Sequence, residues 1–599
     1  MIRPPYRRAR RIALLAVNTD KAFSLSPPST ASRRKALILR CVLGALGLSA
    51  SLHSVAAEPV ADQELLRQQE RERVQREQLE PSPDVRIALP AAAADRLPEG
   101  EVPCFPIHDI RLIGEDSETF QWALRAANPP EDPALGRCLG AGGINLTMKR
   151  IQNAIIERGY VTSRILAEPQ DLKSGTLVLT VVPGRIRTIR FAEGTSRRAT
   201  LWNALPAAPG DVLNLRDIEQ ALENFKRVPT AEADIRIEPA EGTDARPGES
   251  DVVIAWQQRL PVRLSLSLDD SGSDETGKYQ GNVALSLDHV LTLNDLFYVS
   301  YNHDWGGGES GERGSEGHTL HYSVPYGYWL LGATASEYDY HQTVVGANQT
   351  YRYSGKSRNG ELRLSRLLYR DAVRKTTASL SGWTRSSSNY IDDTEIEVQR
   401  RRMAGWAVEL GHREFIGATT LDLGVGYRRG TGAHEALAAP EQAFGEGTSR
   451  SQIVTAHAQL QLPFTLNDQR LRYSGEWRAQ WNRTPLVPQD RFAIGSRYTV
   501  RGFDGENLLS ADRGWLIRND LGLALGQSGQ ELYLGLDYGE VGGQSSELLI
   551  GKRLAGGVIG LRGGYRSLSY DLFWGQPIKK PDGFQTADTT SGFNLTWSF

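Results

Sequence analysis

Cysteine is scarce in this chain of 599 residues: there are three, and only three methionines. No His or Cys stands near any of the cysteines in the C-x-x-C spacing that zinc sites use, so no metal centre is implied. The formal net charge of −2 supplies no basic field, which argues against a nucleic-acid partner. Beyond the first sixty residues no apolar run reaches the 18 or so residues that a membrane-crossing helix needs. Nucleotide motifs are missing as well. There is no G-x-x-x-x-G-K-[ST], no G-x-G-x-x-G after a strand, and the "LGAGGIN" cluster lacks a lysine and reads as a turn before a helix. The ten histidines are scattered, without H-E-x-x-H, and G-x-S-x-G is absent too, so neither an enzyme nor a cofactor is expected.

What the chain does hold is glycine and aromatic residues: 60 Gly, 12 Trp, 21 Tyr and 15 Phe. That combination suits a sheet protein with many tight turns and wide aromatic faces. The N-terminus has the order of an export signal, with "RRKALILR", the apolar "CVLGALGLSASL" and a small-residue "VAA" before Glu58, so residues 1–57 are expected to be removed. The stretch before the apolar segment is long for a signal, which leaves an extended signal or a misassigned start at Met1. Cys41 leaves with it. Cys104 and Cys138 then form an even pair in an oxidising compartment, where a disulfide is expected and two separate buried thiols are the alternative.

Residues 58–80 include "DQELLRQQERERVQREQLE", a helix with i,i+4 pairs and too few apolar residues for a core-facing stripe. Such a helix is solvated, bridges domains or sits in a wet channel. Residues 81–103 form a Pro- and Ala-rich tether. Two units of like order follow, at 104–184 and 185–259. The first reads as strand "FPIHDIRLIG", short helix "TFQWALRAAN", longer helix "NLTMKRIQNAIIERGY" opened by an Asn or Thr cap, and strands "SRILAEP" and "TLVLTVVPG". The second repeats it as "RIRTIRFAEG", "RATLWNAL", "NLRDIEQALENFKRV", "ADIRIEPA" and "SDVVIAWQQ", making two α+β domains.

From 260 to 599 the helical period gives way to alternation. In "LRYSGEWRAQWN" one face carries Leu471, Tyr473, Gly475, Trp477, Ala479 and Trp481, and the other Arg472, Ser474, Glu476, Arg478, Gln480 and Asn482. A transmembrane barrel needs this pattern, apolar toward lipid and polar toward a wet lumen. At about 20 residues per strand and turn, the segment allows about sixteen strands. The last strand sets Phe593, Leu595, Trp597 and Phe599 on one face.

Within the barrel region, "SRYTVRGFDGENLLS" places Val-Arg-Gly-Phe in a loop near 484–512. Together with "LSLDDSGSDETGKYQGNVALSLDHVLTLNDLFYVSYNHD" and "ELYLGLDYGEVGG", and with the order of signal, polar helix, tether, paired units and barrel, the chain resembles the TpsB outer-membrane transporters of two-partner secretion. That resemblance implies that the two units are periplasmic POTRA domains, that the barrel has sixteen strands and that the loop folds back into the lumen. It also implies that Arg501 meets Asp537 on the inner wall, where a guanidinium fork matches a carboxylate. Gly502 would let the backbone turn, Phe503 would pack on the wall, and exchanging the two charges would restore part of the function. The implied partner is a secreted TpsA-type exoprotein: haemolysin, adhesin or contact-dependent toxin. Periplasmic chaperones, the barrel-assembly machinery and outer-membrane lipid complete the expected contacts. Other readings at this point are a barrel insertase, an outer-membrane enzyme and a passive porin.

Overall fold

A computed structural model describes residues 59–80, 83–87 and 95–599. The signal segment, Cys41 and the middle of the tether lie outside the described residues. Helix α1 spans Pro59–Leu79.

The first unit is built from β1 (Asp109–Ile113), α2 (Ala141–Glu157), β2 (Arg164–Leu166) and β3 (Thr176–Val182). The sheet order is β1-β3-β2, with β1 parallel and β2 antiparallel to the central strand. Strict alternation in β3 turns Leu177, Leu179 and Val181 inward, where they meet Ile151 and Ile155 one helical turn apart on α2. Cys104 and Cys138 are bonded, closing a sequence separation of 34 residues.

The N-terminus of α2 departs from expectation. Gly142 and Gly143 belong to its first turn, not to a preceding turn, and no side chain of the expected Asn or Thr caps it. Thr147 is instead buried within the helix and its hydroxyl donates to the Gly143 carbonyl. The cap comes from the tether: the Glu101 carboxylate accepts from the N–H groups of Gly140, Gly142 and Gly143 at 2.8, 2.8 and 3.0 Å. A carboxylate at the positive end of a helix dipole satisfies the donors that the first turn leaves orphaned. Partial burial pushes the Glu101 carboxyl upward, and the three N–H bonds override it, holding it below its usual range.

The second unit has β4 (Arg185–Phe191), α3 (Leu215–Lys226), β5 (Ala231–Pro239) and β6 (Glu249–Gln258), in the sheet order β4-β6-β5. Asn214 caps α3 by accepting from the Arg216 N–H. Leu215, Ile218, Leu222 and Phe225 pack on Trp256. The short helix expected over "RATLWNAL" is a single turn, in which the Leu201 carbonyl accepts from the Ala204 and Leu205 N–H groups at 2.9 and 3.2 Å, and the segment is stitched to the barrel rim by further backbone and amide hydrogen bonds.

Sixteen long antiparallel strands, β7 (Val262–Asp269) to β22 (Thr590–Ser598), close into a barrel, with the two-residue strand Thr394–Glu395 as an addition at one end of the wall. The wall that carries the site comprises β18 (Arg513–Ala524), β19 (Glu531–Gly542) and β20 (Arg553–Tyr565). Closure joins β22 to β7 through five residue pairs, from Asn594 opposite Asp269 to Ser598 opposite Ser265. Phe593, Leu595, Trp597 and Phe599 lie on or just beyond β22, and the rings of Trp597 and Phe599 stack at 6.4 Å. The alternation of "LRYSGEWRAQWN" is the inside and outside of the wall. Arg478 and Gln480 bond to lumen groups, while the Trp481 ring is exposed on the outer face.

The candidate translocation lumen

Between Asn482 and Arg513 the chain turns inward, and the short hairpin Phe492–Ile494 with Leu509–Ala511 supports a tip at 495–508. Arg501 sits in that tip, 5% exposed, opposite Asp537 of β19, 4% exposed. Its main-chain N–H and Nε donate to Asp537 Oδ2 at 3.0 and 2.7 Å, and Nη2 donates to Oδ1 at 2.9 Å. The same Nη2 reaches Asp520 Oδ1 of β18 at 2.5 Å. Asp520 continues to Arg562 at 3.0 Å, Arg562 to Glu531, and Glu531 to Arg472, so the loop arginine ends a ladder of alternating charge along the inner wall. A guanidinium taken out of water is tolerable when its donors meet carboxylates in fork geometry.

The approach is close because the wall has no side chains there. A Cβ on Gly556 would stand 1.8 Å from the Arg501 carbonyl oxygen, and one on Gly535 would stand 2.7 Å from Nη2. Gly502 adopts φ +92°, and a Cβ on it would meet the Gln576 carbonyl at 2.5 Å, so both conformation and space require glycine. Phe503 packs edge-on against Phe584, centroids 5.9 Å apart, in a cluster with Leu516, Val541 and Leu554 of the wall.

A second arginine of the tip holds the barrel seam. Arg497 Nη1 lies 2.8 Å from Asp270 Oδ1 and 3.7 Å from Asp269 Oδ1, next to and at the end of β7, while Nη2 donates to the Phe593 carbonyl of β22 at 3.2 Å. Asp270 also accepts from the Phe593 N–H at 2.9 Å. One loop residue therefore touches both strands whose pairing closes the barrel.

Helix α1 runs through the same lumen. Glu64, fully buried, accepts from Arg67 at 3.1 Å, Arg71 at 2.7 Å, the Tyr338 hydroxyl and the Thr276 hydroxyl. Arg67 donates onward to the Gly505 carbonyl at 2.6 Å, which joins helix to loop. Arg478 of the wall bonds Glu70 at 2.9 Å and also the Tyr498 carbonyl, joining helix, loop and wall. Arg76 pairs with Glu361 at 3.1 Å, and Gln75 with Asn282 at 3.3 Å. A polar helix with few apolar residues is held here by side-chain hydrogen bonds, contacts that water can replace one by one.

Sequence reasoning named Arg501, Gly502, Phe503 and Asp537, and the structure brings all four to one stretch of wall. It missed Asp520, Arg562, Arg497 and Glu64. A signal existed for some of them. Arg518 and Asp520 are two residues apart on the polar face of β18, and Gly535 and Gly556 mark adjacent strands left bare for a close neighbour.

A closed sixteen-stranded barrel, filled by its own helix and loop and preceded by two small α+β domains, defines a transporter of the outer membrane. Residues 248–563 match the family described as haemolysin secretion/activation protein ShlB/FhaC/HecB, residues 105–184 match the ShlB-type POTRA domain, and 185–239 match a POTRA domain. The chain belongs to the ShlB/FhaC/HecB family, the outer-membrane transporters of two-partner secretion. It is 38% identical over 563 residues to the outer membrane transporter CdiB-2 of Burkholderia pseudomallei, covering 91% of this chain and 95% of that one. The hemolysin transporter protein ShlB of Serratia marcescens is 24% identical over 76% of this chain and 78% of its own. The solved structure of CdiB from Acinetobacter baumannii superposes with a TM-score of 0.79 at 30% identity, covering 91% of this chain and all of that chain.

Proposed function

We propose that the two POTRA domains capture an extended, secreted exoprotein in the periplasm and pass it into the lumen that α1 and the loop occupy at rest. In this reading residues 58–80 are a plug, 81–103 a tether, 104–184 and 185–259 the receiving domains and 260–599 the conduit. The observation that carries it is the mode of filling: α1 lies in the lumen chiefly on polar contacts, at Glu64, Glu70 and Arg76, with Leu79 on Ala284 and Tyr298 as a small apolar contact at its end, an arrangement suited to leaving. In both POTRA sheets the second strand lies at an edge, β2 in the first and β5 in the second, so an incoming strand can be added there by main-chain hydrogen bonds. Periplasmic chaperones would keep the client extended, and the barrel-assembly machinery would insert the transporter itself. Client folding outside the cell, for instance as a stacked β-solenoid that resists sliding back, would supply the driving force.

The experiment is secretion of the exoprotein client. Deleting 104–184 should leave the barrel inserted and retain the client in the cell. Continued secretion by that variant would exclude a recognition role for the first POTRA domain.

A further inference from the structure

Trp202 is out of place for a soluble periplasmic domain. It belongs to the turn that replaces the expected helix in the second POTRA domain, and it is 65% exposed. Its ring contacts Tyr326, itself 61% exposed, with centroids 5.9 Å apart. Tyr326 ends the strand Gly314–Tyr326, on the row that also presents Leu320, the outward, lipid-facing side of the barrel. It pairs across the turn with Trp329, which is likewise exposed. The POTRA indole thus extends the aromatic rim at the periplasmic end of the barrel.

The turn is fixed in that place. Asn203, buried beside Trp202, donates from Nδ2 to the Leu293 and Pro325 carbonyls at 2.6 and 3.1 Å, and its own carbonyl accepts from the Gly327 N–H at 2.8 Å. Asn294 Nδ2 in turn donates to the Thr200 carbonyl and to Asn203 Oδ1, both at 2.9 Å. With the backbone on either side tied to two barrel turns, the indole is held on the rim against Tyr326. Exposed Arg197 and Arg198 precede it in the same loop. An exposed indole on such a rim suits a membrane interface, with the ring at the acyl boundary and a cationic loop facing the phosphates.

We propose that Trp202 is an interfacial lipid anchor, seating the second POTRA domain on glycerophospholipid of the periplasmic leaflet. The contact limits how far that domain can swing from the barrel mouth. It depends on the membrane placement of the barrel and not on the client-capture reading, so the two can fail separately.

The test uses the full-length protein in vesicles of phosphatidylethanolamine and phosphatidylglycerol, with p-benzoyl-phenylalanine at position 202. Irradiation should yield a protein–phospholipid adduct comparable to that from the same group at lipid-facing Leu331, with none from Arg236 on β5. An absent adduct, or one only to another polypeptide, would overturn the proposal. A nitroxide on Trp202→Cys supplies an independent reading: collision with oxygen should exceed collision with a water-soluble nickel chelate several-fold. Equal or reversed accessibility would place the residue in water and overturn it as well.

Discussion

Arg501 and Asp537 are joined by three hydrogen bonds, two from the guanidinium and one from the main-chain N–H of Arg501 itself. The backbone bond changes what an exchange of charges can achieve. An arginine at 537 could not accept that N–H, and it would face Arg518, whose Nε lies 4.0 Å from Asp537 Oδ2. Arg501→Glu should therefore abolish secretion with the barrel still inserted, and adding Asp537→Arg should restore little, contrary to what the bare pair suggested. Truncating one partner of such a buried pair costs about 3–5 kcal/mol. Exoprotein in the medium, with barrel insertion checked by gel heat-modifiability, reads the outcome. Full rescue by the double variant would show that the backbone bond and Arg518 are irrelevant.

Asp520 shares the Arg501 guanidinium, so Asp520→Asn should weaken loop seating by less than Asp537→Asn. It keeps the main-chain bond and the two guanidinium bonds to Asp537 intact. The order of protease sensitivity within 495–508 should be wild type, then Asp520→Asn, then Asp537→Asn. A reversed order would make Asp520 the principal anchor.

Glu64 collects four donors, from α1, from the wall and, at Thr276, from the loop that follows β7. Glu64→Ala leaves Arg71 and Tyr338 without their shared acceptor, and each buried group so stranded costs about 1–3 kcal/mol. Single-channel recording in planar bilayers should show more frequent large openings, approaching those of a variant lacking 59–79. Unchanged conductance in both would remove α1 as the plug.

Arg497 bridges the two seam strands, whose five ladder pairs are extended by reciprocal main-chain bonds between Phe599 and Leu264. Arg497→Ala should lower the temperature at which the folded band is lost on a heat-modifiability gel, whereas Arg566→Ala, in an exposed turn, should not.

The Glu101 cap predicts a pH response in the first POTRA domain. Its folded-state carboxyl lies below the usual carboxylate value, so the stabilisation is present above that value and lost as pH falls through the lowered one. Exchange protection at the Gly140, Gly142 and Gly143 amides, corrected for intrinsic rate, should fall at acid pH in the wild type. In Glu101→Gln it should be reduced at neutral pH too.

Much of this molecule was written in periodicities. Alternation along 260–599 determined a barrel of about sixteen strands, because one face of each strand must meet lipid and the other water. The spacing of Ile151 and Ile155, and of Leu177, Leu179 and Val181, likewise determined the core of the first POTRA domain. The composition of 58–80 excluded a core-facing helix without saying where it went. Only the tertiary structure decided that Glu101 caps α2 across 39 residues of sequence, that Arg501 divides its donors between two strands and that Trp202 is stitched against the barrel rim. The reason is physical. Burial patterns repeat locally and can be read along the chain, whereas a polar group's partner is whichever complementary group the closed barrel and docked domains bring within 3 Å or so. That distance is set by folding, not by neighbouring residues.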